Sequence, residues 1–182
     1  MKKALIVVDY SNDFVATDGK LTCGEPGQKI EKNIYNKIED YNTNQDLIFY
    51  LMDYHFENDP YHPETKLFPP HNIKGTNGRE LYNTLKSQYE EIQNSKNVFW
   101  LDKTRYSAFF GTNLDSLLRE RAVDTVEIVG VCTDICVLHT AIDAYNMNYK
   151  IHIPKNCVAS FNQAGHDWAL THFENSIGAF VE

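Results

Sequence analysis

Three side chains that could carry out nucleophilic catalysis are spread along the sequence: a cysteine thiol, an aspartate carboxylate and a lysine amine. Asp9 follows a short apolar run, Lys103 follows another, and Cys136 closes the segment Gly130-Val-Cys-Thr-Asp-Ile-Cys. A carboxylate can accept a thiol proton as general base, and a lysine can pair with that carboxylate and favour the anions. Each residue alone has a common structural explanation, such as a small buried thiol or a surface lysine. The chemistry therefore requires a fold that brings the three together.

Cys136 is predicted to lie in the first turn of a helix, because a tight turn before it leads into a segment with helical spacing. At that place the free N–H groups and the helix dipole lower a thiol pKa below its free value of about 8.5, and the same N–H groups could bind an oxyanion. A zinc site of Cys132, Cys136 and His139 is disfavoured, because the C-x3-C-x2-H spacing has no matching second pair. Cys23 and Cys157 show no partner, and we interpret them as structural.

A second group of residues has the composition of a metal site. Asp53 and His55 are two residues apart on an extended segment, so their side chains point to the same side of the chain. With His71 from the following loop they form a mixed carboxylate and imidazole set, which suits zinc, iron or manganese. Loop residues of these types are commonly not ligands, so this hypothesis also depends on the fold.

The elements that must position these residues alternate along the chain. Short apolar runs, typical of strands buried on both faces, lie at 4–9, 46–53, 97–102, 125–131, 150–154 and 177–181. Segments with helical spacing lie between them, at 30–38, 81–89, 114–121, 136–145 and 163–173. This order predicts an α/β fold with a doubly wound, mostly parallel six-stranded sheet and helices on both faces. Ligands bind at the carboxyl ends of such strands, where the candidate residues would meet.

Length and charge restrict the class of protein. The chain has 182 residues, so we expect a single domain over 1–182. A net charge of -8 disfavours nucleic acid and anionic membranes as partners. No apolar run reaches the roughly 18 residues of a membrane helix. We therefore expect a cytosolic protein with reduced cysteines and a small-molecule substrate, and the sequence leaves monomer and homo-oligomer both open.

Five segments, in order, resemble the isochorismatase-like cysteine hydrolases, and among these most closely the nicotinamidases. They are VDYSNDF at 8–14, DYH at 53–55, PHNIKGT at 70–76, DKTRYSAF at 102–109 and GVCTDICV at 130–137. The D-x-H pair together with P-P-H-x-x-x-G-T distinguishes the metal-containing nicotinamidases from their metal-free relatives. The resemblance implies an amidohydrolase that converts nicotinamide to nicotinate and ammonia through a cysteine thioester, a step of NAD salvage.

The resemblance also implies roles for individual residues at the thiol. Asp9, Lys103 and Cys136 match the catalytic triad of the family. The backbone N–H groups of Cys132 and Cys136 match its oxyanion hole, which follows a cis peptide bond before Cys132. Aromatic and apolar groups around a pyridine ring are implied at Phe14, Leu21, Phe68 and Tyr106.

The metal site of the family is implied at Asp53, His55 and His71. One divalent ion is expected, with zinc as the first choice and iron or manganese as alternatives. Many relatives have a histidine a few residues after the D-x-H pair, and this chain departs from that pattern. We predict Glu64 as the fourth ligand, with His62 as the alternative.

Other functions are consistent with parts of this pattern. A metal-free amidase or isochorismatase-type hydrolase of the same fold is the nearest alternative, and a non-catalytic binding module is a second. A dinucleotide-binding oxidoreductase is disfavoured, because Tyr10-Ser-Asn-Asp follows the first strand in place of the G-x-G-x-x-G turn.

Overall fold

A parallel sheet forms the centre of the structure, a computed structural model that describes residues 2–182. Its strands are β1 (Lys3–Val8), β2 (Leu47–Asp53), β3 (Val98–Lys103), β4 (Thr125–Val131), β5 (Lys150–Ile153), β6 (Val158–Ala159) and β7 (Phe180–Val181). Six of them, the predicted number, form the order β3-β2-β1-β4-β5-β7. The short β6 was not predicted, and it pairs with the end of β4.

The chain changes direction across the sheet between β1 and β4. It runs outward from β1 through β2 to β3, then returns to place β4 on the other side of β1. Val8 therefore lies between Leu51 of β2 and Gly130 of β4. A crevice at the carboxyl ends of the strands is expected at such a switch point.

Helices cover both faces of this sheet. They are α1 (Asn12–Val15), α2 (Glu25–Lys29), α3 (Glu31–Thr43), α4 (Thr84–Ile92), α5 (Leu114–Glu120), α6 (Leu138–Asn146) and α7 (Gln163–Ile177). Short 3-10 turns lie at Pro63–Lys66, Asn77–Arg79 and Lys155–Cys157, and a π-helical turn lies at Thr133–Val137. Across residues 2–182, no helix combines the length and the apolar character that crossing a bilayer would demand.

The apolar strands are buried on both sides because each face of the sheet packs against its own helices. In β1, Ala4, Ile6 and Val8 belong to a core with residues of α5, α6 and α7. Leu5 and Val7 face the opposite core, which includes residues of α3 and α4. This is why the strands carry no polar alternation.

Two predicted boundaries are corrected by the structure. The helix predicted from residue 81 begins at Thr84, because Leu81 forms an isolated bridge with Ser11. The strand predicted over 177–181 is limited to Phe180–Val181, because α7 continues to Ile177 and ends at the left-handed Gly178.

Candidate active site

Polar residues collect at the carboxyl ends of four adjacent strands. Asp9 follows β1, Asp53 ends β2, Lys103 ends β3 and Cys132 follows β4. The register of the sheet places Asp53 directly beside Lys103. All four residues are buried. The predicted meeting of these residues at one edge of the sheet is therefore observed.

Lys103 connects the carboxylate and the thiol of the predicted triad. Its Nζ lies 2.7 Å from Oδ2 of Asp9 and 3.8 Å from Sγ of Cys136. The same Nζ lies 3.6 Å from Oδ1 of Asp53 and donates a 3.0 Å hydrogen bond to the carbonyl oxygen of Arg105. Burying an ammonium group costs free energy unless it is paired with an anion, and here the carboxylates of Asp9 and Asp53 supply the negative charge. The structure thus brings Asp9, Lys103 and Cys136 into one pocket.

Burial dominates the electrostatics of this pocket. Burial raises the pKa of Asp9, Lys103 opposes the rise, and the result is a pKa of about 6. Burial lowers the pKa of Lys103, but Asp9, Cys136 and Asp53 outweigh it, so the pKa lies above its ordinary value. Asp9 is therefore a base of moderate strength beside a permanent cation.

The predicted lowering of the Cys136 pKa is wrong. Burial raises the pKa of this thiol well above its ordinary value, and Lys103 only partly opposes the rise. The nearby carboxylates of Asp9 and Asp53 raise it further. The resting side chain is therefore a thiol, and its use as a nucleophile requires an adjacent base such as Asp9.

The position of Cys136 also differs from the prediction. It lies in the π-helical turn Thr133–Val137, whereas α6 begins at Leu138. Turns of this kind are rare and frequently occur at functional sites. The peptide bond between Val131 and Cys132 is cis, as the family resemblance implied. Of the two residues predicted to supply an oxyanion hole, Cys132 thus immediately precedes this turn and Cys136 lies in it.

Cys23 has a partner that the sequence did not indicate. Its Sγ lies 3.3 Å from Sγ of Cys132, and both side chains are buried. Cys157 is also buried, and its thiol donates to Oδ1 of Asn156. These contacts arise from packing between distant segments, which sequence spacing does not report.

A cluster of four buried side chains beside Lys103 could hold a metal ion: Asp53, His55, Glu64 and His71. One ligand atom from each lies within 4.8 Å of the others. Nε2 of His55 lies 2.7 Å from Oδ2 of Asp53, and Nε2 of His71 lies 3.5 Å from the same oxygen and 3.6 Å from Oε2 of Glu64. Two carboxylates and two imidazoles form a donor set that fits a divalent ion of the zinc, iron or manganese type.

His71 supports this assignment by its orientation. Its Nδ1 lies 2.8 Å from the carbonyl oxygen of Pro69, which directs Nε2 into the cluster. This buried Nε2 has no hydrogen-bond partner. Burial lowers the pKa of His71, but the facing carboxylates of Asp53 and Glu64, at 3.5 Å and 3.6 Å from Nε2, outweigh it and raise the pKa to about 10. The cluster therefore favours a positive charge at this atom.

The geometry favours Glu64 over His62 as the fourth ligand. Nε2 of His62 lies 2.7 Å from the carbonyl oxygen of Thr104, and Nδ1 accepts a 3.3 Å hydrogen bond from the N–H of Glu64. Both ring nitrogens are therefore occupied. His62 caps the 3-10 turn that carries Glu64, and Glu64 points into the cluster.

The four residues predicted to pack around the pyridine ring differ in how they are placed relative to the metal cluster. The rings of Phe14 and Phe68 have their centroids 5.3 Å and 6.2 Å from that of His71. Burial raises the pKa of Tyr106 to about 12, with Glu64 and Cys136 contributing, and its ring centroid lies 5.1 Å from that of His139. Leu21 packs against the core layer that contains Cys132.

Arg79 is a further site residue that the sequence did not indicate. Its Nε donates a 2.9 Å hydrogen bond to the carbonyl oxygen of Asp53. Its guanidinium pairs with Asp102 and lies over the ring of Tyr54, 4.8 Å from the centroid. It therefore fixes the end of β2 through contacts from the short 3-10 turn Asn77–Arg79.

Comparison with known proteins places this geometry in context. A model of the isochorismatase domain matches residues 3–182. The nicotinamidase/pyrazinamidase PncA from Bacillus subtilis is similar at 55% identity and a TM-score of 0.98, covering 100% of this chain and 99% of that one. The pyrazinamidase/nicotinamidase from Streptococcus mutans UA159 is similar at 56% identity and a TM-score of 0.97, covering 100% of both chains.

A more distant solved structure contains a metal. The pyrazinamidase of Pyrococcus horikoshii in complex with zinc is 28% identical, with a TM-score of 0.87, and the match covers 100% of this chain and 99% of that one.

Proposed function

The chain belongs to the isochorismatase family, and from this membership and the site we propose that it is a nicotinamidase, which hydrolyses nicotinamide to nicotinate and ammonia. Its full-length similarity to two nicotinamidase/pyrazinamidase structures supports the activity. The observation that carries the mechanism is the position of Lys103, 2.7 Å from Asp9 and 3.8 Å from Cys136, beside a cluster suited to a metal ion.

Asp9 is the general base in this mechanism. With a pKa of about 6 it is largely ionised at neutral pH, yet it is basic enough to accept a proton. The proton of the Cys136 thiol passes to the Asp9 carboxylate as the sulfur attacks the carboxamide carbon. Lys103 keeps Asp9 ionised before the attack and stabilises the sulfur anion as it forms.

The remaining steps use the same groups. The oxyanion of the tetrahedral intermediate is held by the backbone N–H groups of Cys132 and Cys136. Asp9 returns its proton to the leaving nitrogen, the C–N bond breaks, and ammonia leaves. A nicotinoyl thioester remains on Cys136, and water hydrolyses it to nicotinate and the free thiol.

Asp53, His55, Glu64 and His71 would hold the metal ion, with zinc as the first choice and iron or manganese as alternatives. When bound, the ion supplies a Lewis-acidic site that orients the pyridine nitrogen of the substrate. The zinc in the Pyrococcus horikoshii structure supports this choice. The ring itself would be packed by Phe14, Leu21, Phe68 and Tyr106.

A cytosolic location is part of the proposal. The four cysteines are free thiols in the structure, which is typical of proteins in a reducing compartment.

Ammonia release from nicotinamide tests the proposed function. The purified protein is assayed as isolated, after chelation, and after zinc is restored, with its metal content measured in parallel. We expect turnover that falls with chelation and returns with zinc. Benzamide, which lacks the ring nitrogen, should be a much poorer substrate. Full activity without metal would favour the metal-free amidase, and no ammonia from nicotinamide with metal bound would contradict the proposal.

A further inference from the structure

Asp13 is a buried carboxylate that the proposed mechanism does not use. It lies in α1, is 8% exposed, and its two oxygens face two different loops. Oδ2 accepts a 2.8 Å hydrogen bond from the N–H of Asn72, and Oδ1 accepts a 3.3 Å hydrogen bond from the N–H of Lys20. One side chain therefore joins the loop that carries His71 to the loop that carries Leu21.

The contact with Asn72 bears directly on the metal cluster. Asn72 follows His71 in the chain, and its carbonyl oxygen accepts a 3.1 Å hydrogen bond from the N–H of His55. Its side chain accepts a 2.8 Å hydrogen bond from the hydroxyl of Ser11. Its φ of 45° lies in the left-handed region, which asparagine tolerates. Asp13 and Ser11 thus fix Asn72, which is covalently bonded to His71 and accepts the backbone hydrogen bond of His55.

The other contacts of Asp13 hold the loop on the substrate side. The backbone carbonyl of Asp13 accepts a 3.0 Å hydrogen bond from the N–H of Leu21, next to the Lys20 N–H that its side chain binds. Gly78 also approaches the side chain of Asp13, so closely that a Cβ atom at position 78 would lie 2.2 Å from Oδ2 of Asp13. Only a glycine allows this close approach, which brings the end of the His71 loop against the carboxylate.

We infer that Asp13 is a positioning residue that sets the metal affinity of the cluster through His71 and His55, and the shape of the ring pocket through Leu21. The inference deepens the proposed function and rests on it. A carboxylate can accept from both loops at once, because each of its oxygens is an acceptor. Asparagine cannot do so, since its NH₂ group would face one of the two backbone N–H donors.

Zinc affinity is the readout that tests the inference. Zinc titration against a competing chelator is carried out on the wild type, Asp13→Asn and the control Asp18→Asn, which makes the same chemical change at an exposed position. We expect Asp13→Asn to weaken zinc binding by about 10-fold to 100-fold, the range typical of residues that orient metal ligands, and Asp18→Asn to leave it unchanged. At saturating zinc, kcat should recover while KM for nicotinamide stays raised, because the Leu21 loop remains loosened.

A folded Asp13→Asn protein with zinc affinity within about twofold of the wild type would overturn the inference, whatever its activity. If Asp13→Asn does not fold, Gly78→Ala decides, because its added Cβ would displace Oδ2 of Asp13 from the N–H of Asn72. A weaker zinc affinity in that variant is expected, and an unchanged one would overturn the inference. A wild type that binds zinc but releases no ammonia from nicotinamide would reject the proposed function alone.

Discussion

The backbone N–H of Asp53 donates a 2.7 Å hydrogen bond to Oδ1 of Asp9. The other oxygen of Asp9 lies 2.7 Å from Nζ of Lys103. The side chain of Asp53 in turn contacts His55 in the metal cluster, 2.7 Å away. Asp53 therefore belongs to both parts of the site, and the proposed base is held by the residue that would bind the metal. The proposed ring orientation and proton transfer thus both depend on the end of β2.

Replacing Cys136 with alanine is expected to abolish hydrolysis while leaving zinc binding intact. The thiol is the group that attacks the carboxamide in the proposed reaction, whereas the four cluster residues are left unchanged by this substitution. The loss in kcat should reach at least about 10⁴-fold, as is typical when a covalent nucleophile is removed. Steady-state ammonia release and metal analysis measure the two quantities. Appreciable amidase activity in this variant would contradict a thioester mechanism.

Replacing Lys103 with methionine is expected to move the acid limb of the kcat/KM profile to higher pH. Burial and Asp53 both raise the pKa of Asp9, and Lys103 is the main opposing group. Without the cation, the pKa of Asp9 rises above its value of about 6, so a higher pH is needed to ionise the base. A pH profile at saturating zinc checks this.

The same variant should also be less stable, because removing one partner of a buried ion pair costs about 3 to 5 kcal/mol. The exposed Lys96→Met is the matched control, and it should shift neither the profile nor the stability. An acid limb that stays in place would show that Lys103 does not control the ionisation of Asp9.

Glu64→Ala and His62→Ala are both expected to weaken zinc binding, with the larger loss of affinity for Glu64→Ala. Glu64→Ala removes a ligand atom, whereas His62→Ala removes only the cap that orients its turn, so the first should weaken binding more. For His62→Ala we expect a loss of about 10-fold, at the lower end for a residue that orients a ligand. Competition titrations measure both, with the exposed Glu57→Ala as control. A larger loss for His62→Ala would make the histidine the ligand.

Much of the site could be predicted from the sequence because strand ends are encoded locally. Each buried strand is a continuous apolar run, and the run stops at the residue that enters the site, as at Asp9 and Asp53. In a parallel sheet these ends share one edge, so separate points of the chain could be placed together before any coordinates were known.

The remaining features depend on contacts between loops, which have no periodicity to interpret. The helix dipole is a local effect on the pKa of Cys136, whereas the larger effects come from burial and from charged side chains that follow or end other strands. The contact between Cys23 and Cys132 joins segments 109 residues apart. The sequence does not indicate the position of Asp13 either, because its two side-chain hydrogen bonds join two loops without periodicity.

Glu127 provides a test of stability away from the active site. It lies in β4, where its carboxylate is 2.8 Å from Nζ of Lys37, accepts a 2.9 Å hydrogen bond from the hydroxyl of Tyr41, and is 3.2 Å from Nδ1 of His152. Burial raises the pKa of Glu127, but bonds to His152, Lys37 and Tyr41 outweigh it and lower the pKa from 4.5 to about 2.

Glu127→Gln is therefore expected to be less stable than the wild type at neutral pH, with a difference that shrinks in acid. A carboxylate whose pKa is depressed on folding stabilises the folded state above its unfolded pKa of 4.5, and the contribution is lost as the pH falls towards about 2. At about 1.4 kcal/mol per pKa unit, the part of the difference that depends on pH is on the order of 3 kcal/mol.

Urea unfolding at several pH values from 7 to 3, with chelator present so that metal release does not contribute, measures this difference in the free energy of unfolding. The exposed Glu174→Gln controls for the change in net charge. A difference between Glu127→Gln and wild type that stays constant with pH would mean that the Lys37, Tyr41 and His152 contacts do not hold the carboxylate ionised.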